Sequence, residues 1–402
     1  MLTQSMSQSD FNLLNAASQT KILSELLYDN VLPFWLRHGI DPQGGISNCL
    51  TDDGEVVSHD KWLWSQWRGV WVFSKLYNNT NDSKWLEIAK DVYGFAQKHG
   101  WNTNAKGWNL RIARDGSVLD GYKSIYCDGF AIYGLTEFFK ATNDAQAMDL
   151  AKQTADAVMI KLALPHERIP HFPYPIEQGT RVHGLPMIFS LVFWELGQVL
   201  GDQRYKDYAL KLSTEVFDKF YRPDRDVILE RIAADGGEYP SPQGTAVVPG
   251  HVIEDMWFQI HIATDRKDID RIDQACHVIR RHLELGWDDT YGGLLLGVDA
   301  DGREQVGWEH HDTKLWWPHT EAMYALIRAY AHCREQWCVE WYRRICEYAF
   351  GHFPHPKGEW VQKLDRKGKP ITTVVALPVK DPFHLPRALI LSLEAFKKLA
   401  TE

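Results

Sequence analysis

The sequence predicts an all-α protein, an (α/α)6 barrel of six helical hairpins with short β-hairpins in the connecting loops at one end. Three observations support this. Segments with helical spacing of apolar residues come in pairs, an Asp-Gly-type turn pattern recurs between the pairs, and the two chain ends complete a sixth pair. We expect one catalytic domain over residues 1–402, with residues 1–16 as a frayed N-terminal segment. An open superhelix of helix pairs is the competing architecture.

The turn pattern is a glycine or polar opening, a short alternating run, an Asp-Gly-type turn and a second short run. Alternating apolar residues around such a turn are the strongest short-range signal for a β-hairpin. The pattern occupies residues 43–57, 106–119, 225–239, 291–306 and 357–371. Its one long gap contains the proline-rich residues 165–184, where a further hairpin would be expected. We interpret that stretch as a substrate-shaping loop.

Two helical patterns follow each turn pattern, with apolar residues at i, i+3, i+4 and i+7. Residues 60–78 are followed by 83–100, and residues 183–201 by 203–220. The first helix of each pair is richer in aromatic residues and glycine, which predicts that it is the inner helix. Residues 21–39 and the helix after residue 384 supply the remaining pair.

Histidine and proline recur together where the inner helices are expected to begin. His183, His251, His319 and His384 each lie beside or close to a proline. Proline is common in the first turn of a helix, but helix formation does not require a histidine there. If the inner helices are parallel, these N-termini share one mouth of the barrel, and their free N–H groups favour oxyanions.

The candidate chemistry follows from these positions. Histidine titrates near neutral pH, so His251 and His384 could donate and accept protons on opposite sides of one carbon. Glu254 lies three residues after His251 on the same helical face and could orient it. Arg68, among four tryptophans, is either a cation for a sugar oxygen that becomes negative or part of a structural ion pair.

Composition excludes several other classes. The net charge of −9, without any Lys/Arg block, argues against nucleic-acid binding. No apolar stretch is long enough to span a membrane, and the N-terminus lacks the features of a signal peptide. The six scattered cysteines are typical of reduced thiols in a cytoplasmic enzyme. We expect no metal, because residues 309–312 are adjacent acidic and histidine residues outside any metal-binding motif, and no cofactor, because no GxGxxG or P-loop motif is present.

Four segments resemble the N-acylglucosamine 2-epimerases, the group that includes renin-binding protein, cellobiose 2-epimerases and mannose 2-epimerases. They are WSQWRGVW (64–71), PGHVIEDMWF (249–258), KLWWPHTEA (314–322) and PFHLPRAL (382–389). The resemblance covers nearly the full chain and implies an (α/α)6 barrel, as the repeat also predicts. It further implies an epimerisation at C2 of a reducing sugar that needs neither cofactor nor metal, in a monomer or homodimer.

The resemblance also assigns roles. It implies that His251 and His384 are the acid/base pair, that Arg68 is the cation at the sugar O1, and that Glu254 assists His251. Glu321 is similar to a carboxylate that either binds substrate or supports a catalytic group. His183 is similar in position to an oxygen-binding histidine of the cellobiose enzymes, although its surroundings differ.

Two further residues are candidates for sugar contacts. Trp316 and Trp317 cannot both face the cavity, because neighbouring side chains on a helix diverge by about 100°. We expect Trp317 to contact the sugar and Trp316 to pack between the helical layers. Asp128, at the start of another inner helix, is a further candidate for the substrate site.

The sequence therefore predicts a sugar 2-epimerase that acts on D-mannose/D-glucose or on N-acetylmannosamine/N-acetylglucosamine. Polar departures from the family pattern at GWEHHDT and RVHGLPMIF favour a free aldose. An aldose–ketose isomerase on the same site is the alternative, because it shares the enediolate. An inverting glycoside hydrolase would need two carboxylates across a cleft, which Glu254, Glu321 and Asp128 could supply.

Overall fold

The chain folds as an inner and an outer layer of helices, with very short strands in the loops that connect the two layers. The computed structural model describes residues 10–303, 306–375 and 377–401. Most of the expected frayed segment and residues 304–305 of the fourth turn pattern lie outside these ranges. In chain order the helices are α1 (Ala16–Glu25), α2 (Leu32–Phe34), α3 (Leu63–Thr80), α4 (Ser83–Gly100), α5 (Ile125–Thr142), α6 (Ala145–Leu162), α7 (Gly184–Leu200), α8 (Gln203–Glu215), α9 (Pro249–Arg266), α10 (Ile269–Gly286), α11 (Trp316–Cys333), α12 (Gln336–His352) and α13 (His384–Leu399).

Helices α3, α5, α7, α9, α11 and α13 form the inner layer. Each contacts the next in this order, and α13 contacts α3, so the contacts close a ring. Each inner helix also packs against one outer helix, and α1 packs against α13. The arrangement is consistent with an α/α toroid. None of the helices in the described part of the chain is long and apolar enough to cross a bilayer.

The burial pattern of each helix depends on whether it belongs to the inner or the outer layer. Helix α5 is buried almost without interruption from Ile125 to Phe138, as expected for a helix with protein on all sides. Outer helix α10 instead buries one stripe, which includes Ile272, Cys276, Ile279 and Leu283. The aromatic-rich helix of each pair is therefore the inner one, as the sequence predicts.

Four of the five links from inner to outer helices in the described chain share one design; in the fifth, between α11 and α12, Arg334 is left-handed but Glu335 makes no side-chain cap. An inner helix ends at a residue in the left-handed conformation, and the next residue is an aspartate whose carboxylate accepts an N–H of the outer helix. The left-handed residues in these links are Asn81, Asn143, Gly201 and Lys267. The capping aspartates are Asp82, Asp144, Asp202 and Asp268. Such a short link makes the two helices of a pair antiparallel, so the inner helices all run the same way.

The strands lie in the loops that lead from outer to inner helices. They are β1 (Cys49–Leu50), β2 (Val56–Ser58), β3 (Lys61–Trp62), β4 (Trp101–Asn102), β5 (Gly107–Trp108), β6 (Arg111–Ile112), β7 (Val118–Asp120), β8 (Thr180–Val182), β9 (Tyr221–Arg222), β10 (Val227–Ile228), β11 (Arg231–Ala233), β12 (Ala246–Val247), β13 (Val298–Asp299), β14 (Lys314–Leu315) and β15 (Lys363–Leu364).

The strand pairing corrects part of the hairpin prediction. Local hairpins form where predicted in residues 43–57 and 106–119, as β1–β2 and β6–β7. Residues 357–371 also close locally, through the antiparallel bridge between Leu364 and Pro370, while β15 pairs with β14 of a neighbouring loop. In residues 225–239 the turn forms, but β11 pairs with β8 of the proline-rich segment. β13 pairs with β12, and residues 304–305 of its predicted hairpin partner lie outside the described residues. β6 likewise pairs with β3 as well as with β7. Neighbouring loops lie side by side at one mouth, so each strand finds its partner in the adjacent repeat.

Two of these strand pairs are held by buried ion pairs. Lys61 of β3 donates to Asp41 at 2.6 Å, and Lys314 of β14 donates to Asp288 at 3.0 Å. Both lysine side chains are fully buried. Burial opposes ionisation of Asp288, but hydrogen bonds from Arg366 and Lys314 outweigh it and lower the pKa of this carboxyl to about 2.

We predict that Asp288→Ala lowers the free energy of unfolding by about 3–5 kcal/mol, because it leaves the Lys314 ammonium buried without a counter-charge. The adjacent Asp289, whose side chain is 91% exposed, supplies a matched control. Asp289→Ala should change stability by less than about 0.5 kcal/mol. Thermal and urea denaturation of both variants measure the difference, and equal shifts would contradict a stabilising role for the buried pair.

Candidate active site

The predicted functional residues lie at the starts of the inner helices. His384 is the first residue of α13, His251 lies in the first turn of α9, and His183 directly precedes α7. Arg68 lies in the second turn of α3. Because the inner helices run the same way, these groups all lie toward one mouth of the ring, as the sequence predicts.

His384 is held by a glutamate. Its Nδ1 lies 2.8 Å from Glu321 Oε1, and the histidine is only 8% exposed. Glu321 also accepts hydrogen bonds from Arg387 Nη2 at 2.8 Å and from Trp257 Nε1 at 2.9 Å. Glu321 is almost fully buried, so it supports His384 from behind and does not line the cavity as a free carboxylate.

Arg387 joins two buried carboxylates. Its Nη2 donates to Glu321 and, in a very short contact, to Glu254. Burial opposes ionisation of Glu321, but Arg387 and His384 outweigh it and lower its pKa to about 2. Glu254 was expected to orient His251; it bonds to Arg387 and is buried, which corrects that expectation.

The same carboxylates have the spacing of metal ligands. Among the described residues, Glu254, Glu321 and His384 each offer one ligand atom, and these atoms lie within 4.8 Å of one another. However, Arg387 donates to both carboxylates, and Glu321 also bonds to His384. The guanidinium therefore already supplies the positive charge that a metal ion would bring, and the donor set does not fit a metal.

Arg68 is linked to His384 through Asp381. Arg68 Nη1 donates to Asp381 Oδ1 at 2.8 Å, and Asp381 Oδ2 accepts the backbone N–H of His384 at 3.0 Å. The guanidinium carbon of Arg68 lies 4.0 Å from the ring centroid of Phe130. Only 15% of the Arg68 side chain is exposed. Arg68 is thus ion-paired, which is the structural role considered from sequence, and it lies at the mouth.

His251 contacts a carboxylate that the sequence did not indicate. Its Nδ1 lies 3.3 and 3.2 Å from the two carboxylate oxygens of Glu230, a residue between β10 and β11. The His251 side chain is 36% exposed, so it is more accessible than His384. Burial opposes protonation of His251, but Glu230 outweighs it, with smaller contributions from Glu254 and Asp255, and raises the pKa of His251.

Trp317 connects the two histidines. Its ring stacks on His251 with 5.1 Å between centroids and lies 5.7 Å from the ring of His384. Gly250 makes this possible, because a Cβ there would lie 2.6 Å from the Trp317 ring. Trp316 is part of the buried hydrophobic core, and its ring also lies 6.0 Å from the ring of His384. The contact of Trp317 with both rings brings the two histidines into one site.

Two predicted substrate residues lie elsewhere. His183 is fully buried, and its Nε2 lies 2.7 Å from Asp255 Oδ2, so it packs behind the mouth and does not reach the cavity. Asp128 is also fully buried. It accepts hydrogen bonds at 2.8 Å from the backbone N–H of Trp108, the Tyr122 hydroxyl and the Lys161 ammonium. A carboxylate with these partners is structural.

The proline-rich segment contributes to one side of the mouth. The Tyr174 hydroxyl donates to the Val375 carbonyl at 2.9 Å, which links this segment to the loop before α13. Phe172 lies 6.0 Å from the Trp62 ring, and His171 Nε2 lies 3.0 Å from the Tyr126 hydroxyl of α5. The segment therefore contacts the α3, α5 and α13 side of the mouth, and through the pairing of β8 with β11 it also reaches the loop that carries Glu230.

Sequence reasoning missed three supporting residues for different reasons. Arg387 and Asp381 lie within three residues of His384 in DPFHLPR, so helical spacing could have identified both. Glu230 precedes His251 by 21 positions, on a different element. Nothing in its local sequence distinguishes it from a surface glutamate.

Comparisons with known proteins show similarity to carbohydrate epimerases. The family model of N-acylglucosamine 2-epimerase (GlcNAc 2-epimerase) matches residues 44–388. The chain is 29% identical to the N-acylglucosamine 2-epimerase of Bos taurus, over 92% of this chain and 90% of the relative. It is 23% identical to a cellobiose 2-epimerase of Ruminococcus albus, over 89% and 94%.

Solved structures share the fold. A sugar epimerase from a ruminal bacterium has a TM-score of 0.81 at 20% identity and covers 93% of this chain and 98% of its own. A D-mannose isomerase has a TM-score of 0.78 at 17% identity, with coverage of 94% and 97%. The family model spans most of the chain, and the curated relatives align over nearly its full length. The chain therefore belongs to the N-acylglucosamine 2-epimerase family of carbohydrate epimerases.

Proposed function

We propose that the protein inverts C2 of a reducing aldose by proton exchange with His251 and His384. The observation that carries the proposal is the cluster at the mouth, in which Trp317 contacts both histidine rings and each histidine has its Nδ1 beside a glutamate. We further propose that the ring of helix pairs is an (α/α)6 barrel and that the sugar enters at this mouth. The free cysteines suit a cytoplasmic location.

The reaction begins on the open-chain sugar, whose C2 proton is acidic because of the C1 carbonyl. One histidine removes this proton, and the electron pair moves through C1 to O1. The other histidine then delivers a proton to the opposite face of C2, and the C1 carbonyl forms again. Two fixed bases on opposite faces achieve inversion without either group having to cross the plane of the intermediate.

Arg68 is the proposed partner of the enolate oxygen. Its guanidinium is held by Asp381 and by the face of Phe130, so it needs little reorganisation when negative charge develops at O1. Asp381 also bonds to the backbone of His384. The cation and one of the bases are therefore positioned by the same carboxylate.

Glu321 determines which nitrogen of His384 reacts. Its lowered pKa keeps the carboxylate ionised near neutral pH, so it can only accept a hydrogen bond. His384 Nδ1 must then carry the hydrogen, which leaves Nε2 as the atom that exchanges a proton with the sugar.

The relatives guide the choice of substrate. The matched N-acylglucosamine 2-epimerases are 28–29% identical to this chain, whereas the cellobiose 2-epimerases are 22–23% identical. This favours N-acetylmannosamine/N-acetylglucosamine as the first pair to test. The polar departures noted in the sequence keep mannose/glucose as the second pair.

The carboxylates do not favour the glycoside hydrolase alternative. Inverting hydrolases place two carboxyl groups roughly 6.5–9.5 Å apart with room for water. Here Glu254 and Glu321 have oxygens within 4.8 Å of each other and share Arg387. Asp128 is buried with Lys161. An aldose–ketose isomerase differs from an epimerase only in protonation at C1, so product identity distinguishes the two.

We predict that His251→Ala and His384→Ala each lower epimerisation by at least about 10²-fold, because each removes one proton-transfer group. Proton NMR in heavy water measures deuterium uptake at C2 and product formation for both sugar pairs. The matched control is His277→Ala, which should retain activity. His277 is an exposed histidine of outer helix α10 that pairs with Asp226. Near-normal turnover by either active-site variant would contradict the two-base mechanism, provided its thermal denaturation matches that of the wild type.

We predict that Arg68→Met lowers kcat by about 10²- to 10³-fold, the usual effect of losing one oxyanion partner. Arg68→Lys should retain more activity, because it keeps the charge but loses the planar contact with Asp381 and Phe130. Steady-state kinetics on the preferred sugar test this order. Equal kcat values for the methionine and lysine variants would show that charge at this position does not stabilise the intermediate.

A further inference from the structure

We propose that Glu230 is the positioning residue for His251. It holds the imidazole with hydrogen on Nδ1 and so presents Nε2 to the sugar. The proposal rests on the two-histidine function above and adds a residue that lies outside the four family-like segments. Glu230 is on a loop, 21 positions before His251, whereas Glu254 on the histidine's own helix bonds to Arg387.

The contact with Glu230 determines which nitrogen of His251 carries the hydrogen. Both Glu230 oxygens lie 3.2–3.3 Å from His251 Nδ1. Burial opposes ionisation of Glu230, but His251 outweighs it, with contributions from His183 and Arg231, and lowers the pKa of Glu230 to about 2. An ionised carboxylate can only accept, so His251 Nδ1 donates. In the neutral imidazole the lone pair is then on Nε2.

The backbone of Glu230 is fixed between two inner helices. Its N–H donates to the Ala246 carbonyl at 3.1 Å, and its carbonyl accepts the N–H of His183 at 3.0 Å. Ala246 lies in β12, just before α9, and His183 lies just before α7. Backbone hydrogen bonds on both sides therefore hold the segment that places the Glu230 carboxylate beside His251. A positioning residue needs this rigidity.

Trp317 restrains the orientation of the plane of the His251 ring, which the contact with Glu230 does not fix. It stacks on His251 at an interplanar angle of 28°. The carboxylate fixes rotation within the ring plane, and the indole fixes the plane. Together they leave His251 with a defined orientation even though more than a third of its side chain is exposed.

The two histidines are consequently unequal. Glu321 shares its charge among His384, Arg387 and Trp257, whereas the side chain of Glu230 bonds to His251. Glu230 is the largest influence that favours the protonated form of His251, and it raises the pKa of His251 against the effect of burial, with Glu254 and Asp255 acting in the same direction.

Three substitutions test the role in the full-length enzyme. Glu230→Gln removes the charge, Glu230→Asp keeps the charge on a shorter side chain, and Glu177→Gln changes an 80% exposed glutamate on a neighbouring loop. We expect Glu230→Gln to lower kcat by about 10- to 100-fold, the range for carboxylates that orient a functional histidine. KM should change much less, because Glu230 does not contact the sugar.

The pH profile separates positioning from a merely structural effect. Loss of Glu230 lowers the pKa of His251, so its protonated form disappears at lower pH. The limb of the kcat/KM profile that His251 governs should therefore move to lower pH in Glu230→Gln, return toward the wild-type position in Glu230→Asp, and stay unchanged in Glu177→Gln. A Glu230→Gln enzyme with wild-type kcat and both limbs unmoved would overturn the proposal.

Nitrogen-15 NMR of histidine-labelled protein gives a readout that needs no turnover. The His251 signal, identified by its loss in His251→Ala, should show protonated Nδ1 and unprotonated Nε2 at high pH in the wild type. Glu230→Gln should show a mixture of tautomers. A wild-type signal with hydrogen on Nε2 would overturn the proposal even if the enzyme is active. The expected tautomer in a protein that epimerises no sugar would instead refute the proposed function alone.

Discussion

Arg387 is buried inside the ring between two glutamates, and the chemistry of the mouth depends on this one guanidinium. Without a cation, two carboxylates this close and this buried would hold protons, because like charges in a low-dielectric site repel. Arg387 keeps Glu321 ionised, and an ionised Glu321 fixes the hydrogen on His384. Arg387 lies one turn after His384 on α13, so the proposed base and the charge that controls its partner are carried by the same helix.

A second carboxylate–histidine pair faces the first, but it is assembled differently. Glu321 is carried by the inner helix next to that of His384, so helix packing alone brings them together. Glu230 comes from a loop whose position depends on strand pairing with both neighbours. One of the two proposed bases is therefore held by the helical layer of the fold, and the other by loops at the mouth. In the proposed mechanism, a change in these loops would alter one side of the reaction while the other stays the same.

The parts of this arrangement that depend on local spacing could be read from sequence. The helix pairs, the inner position of the aromatic helices and the common mouth all follow from periodicity, and His251, His384 and Arg68 lie where those patterns place them. Contacts between residues that are distant in the chain could not be predicted from the sequence. Glu230 was missed because nothing local marks it, and Asp128 was misjudged because its partners Lys161 and Trp108 lie on other elements.

The hairpins illustrate the same limit. An Asp-Gly turn reports that the chain reverses, but a two-residue strand can pair with any strand beside it. Here the neighbouring loop competes successfully with the local partner. The turn at residues 235–236 forms as expected, while the strand before it pairs with residues 180–182. Local sequence thus predicts turns better than it predicts strand partners.

The joining of the last loop to the first has a consequence for synthesis. The backbone N–H of Lys380 donates to the carbonyl of Asn48 at 2.7 Å, and α13 then packs against α3 and α1. These contacts join residues more than 300 positions apart in the chain, so they cannot form until nearly all of it has left the ribosome. His384, Asp381 and Arg387 arrive in that same final segment. A nascent chain therefore carries an open arc of helices without one member of the proposed acid/base pair, and the proposed site becomes complete only when the fold does.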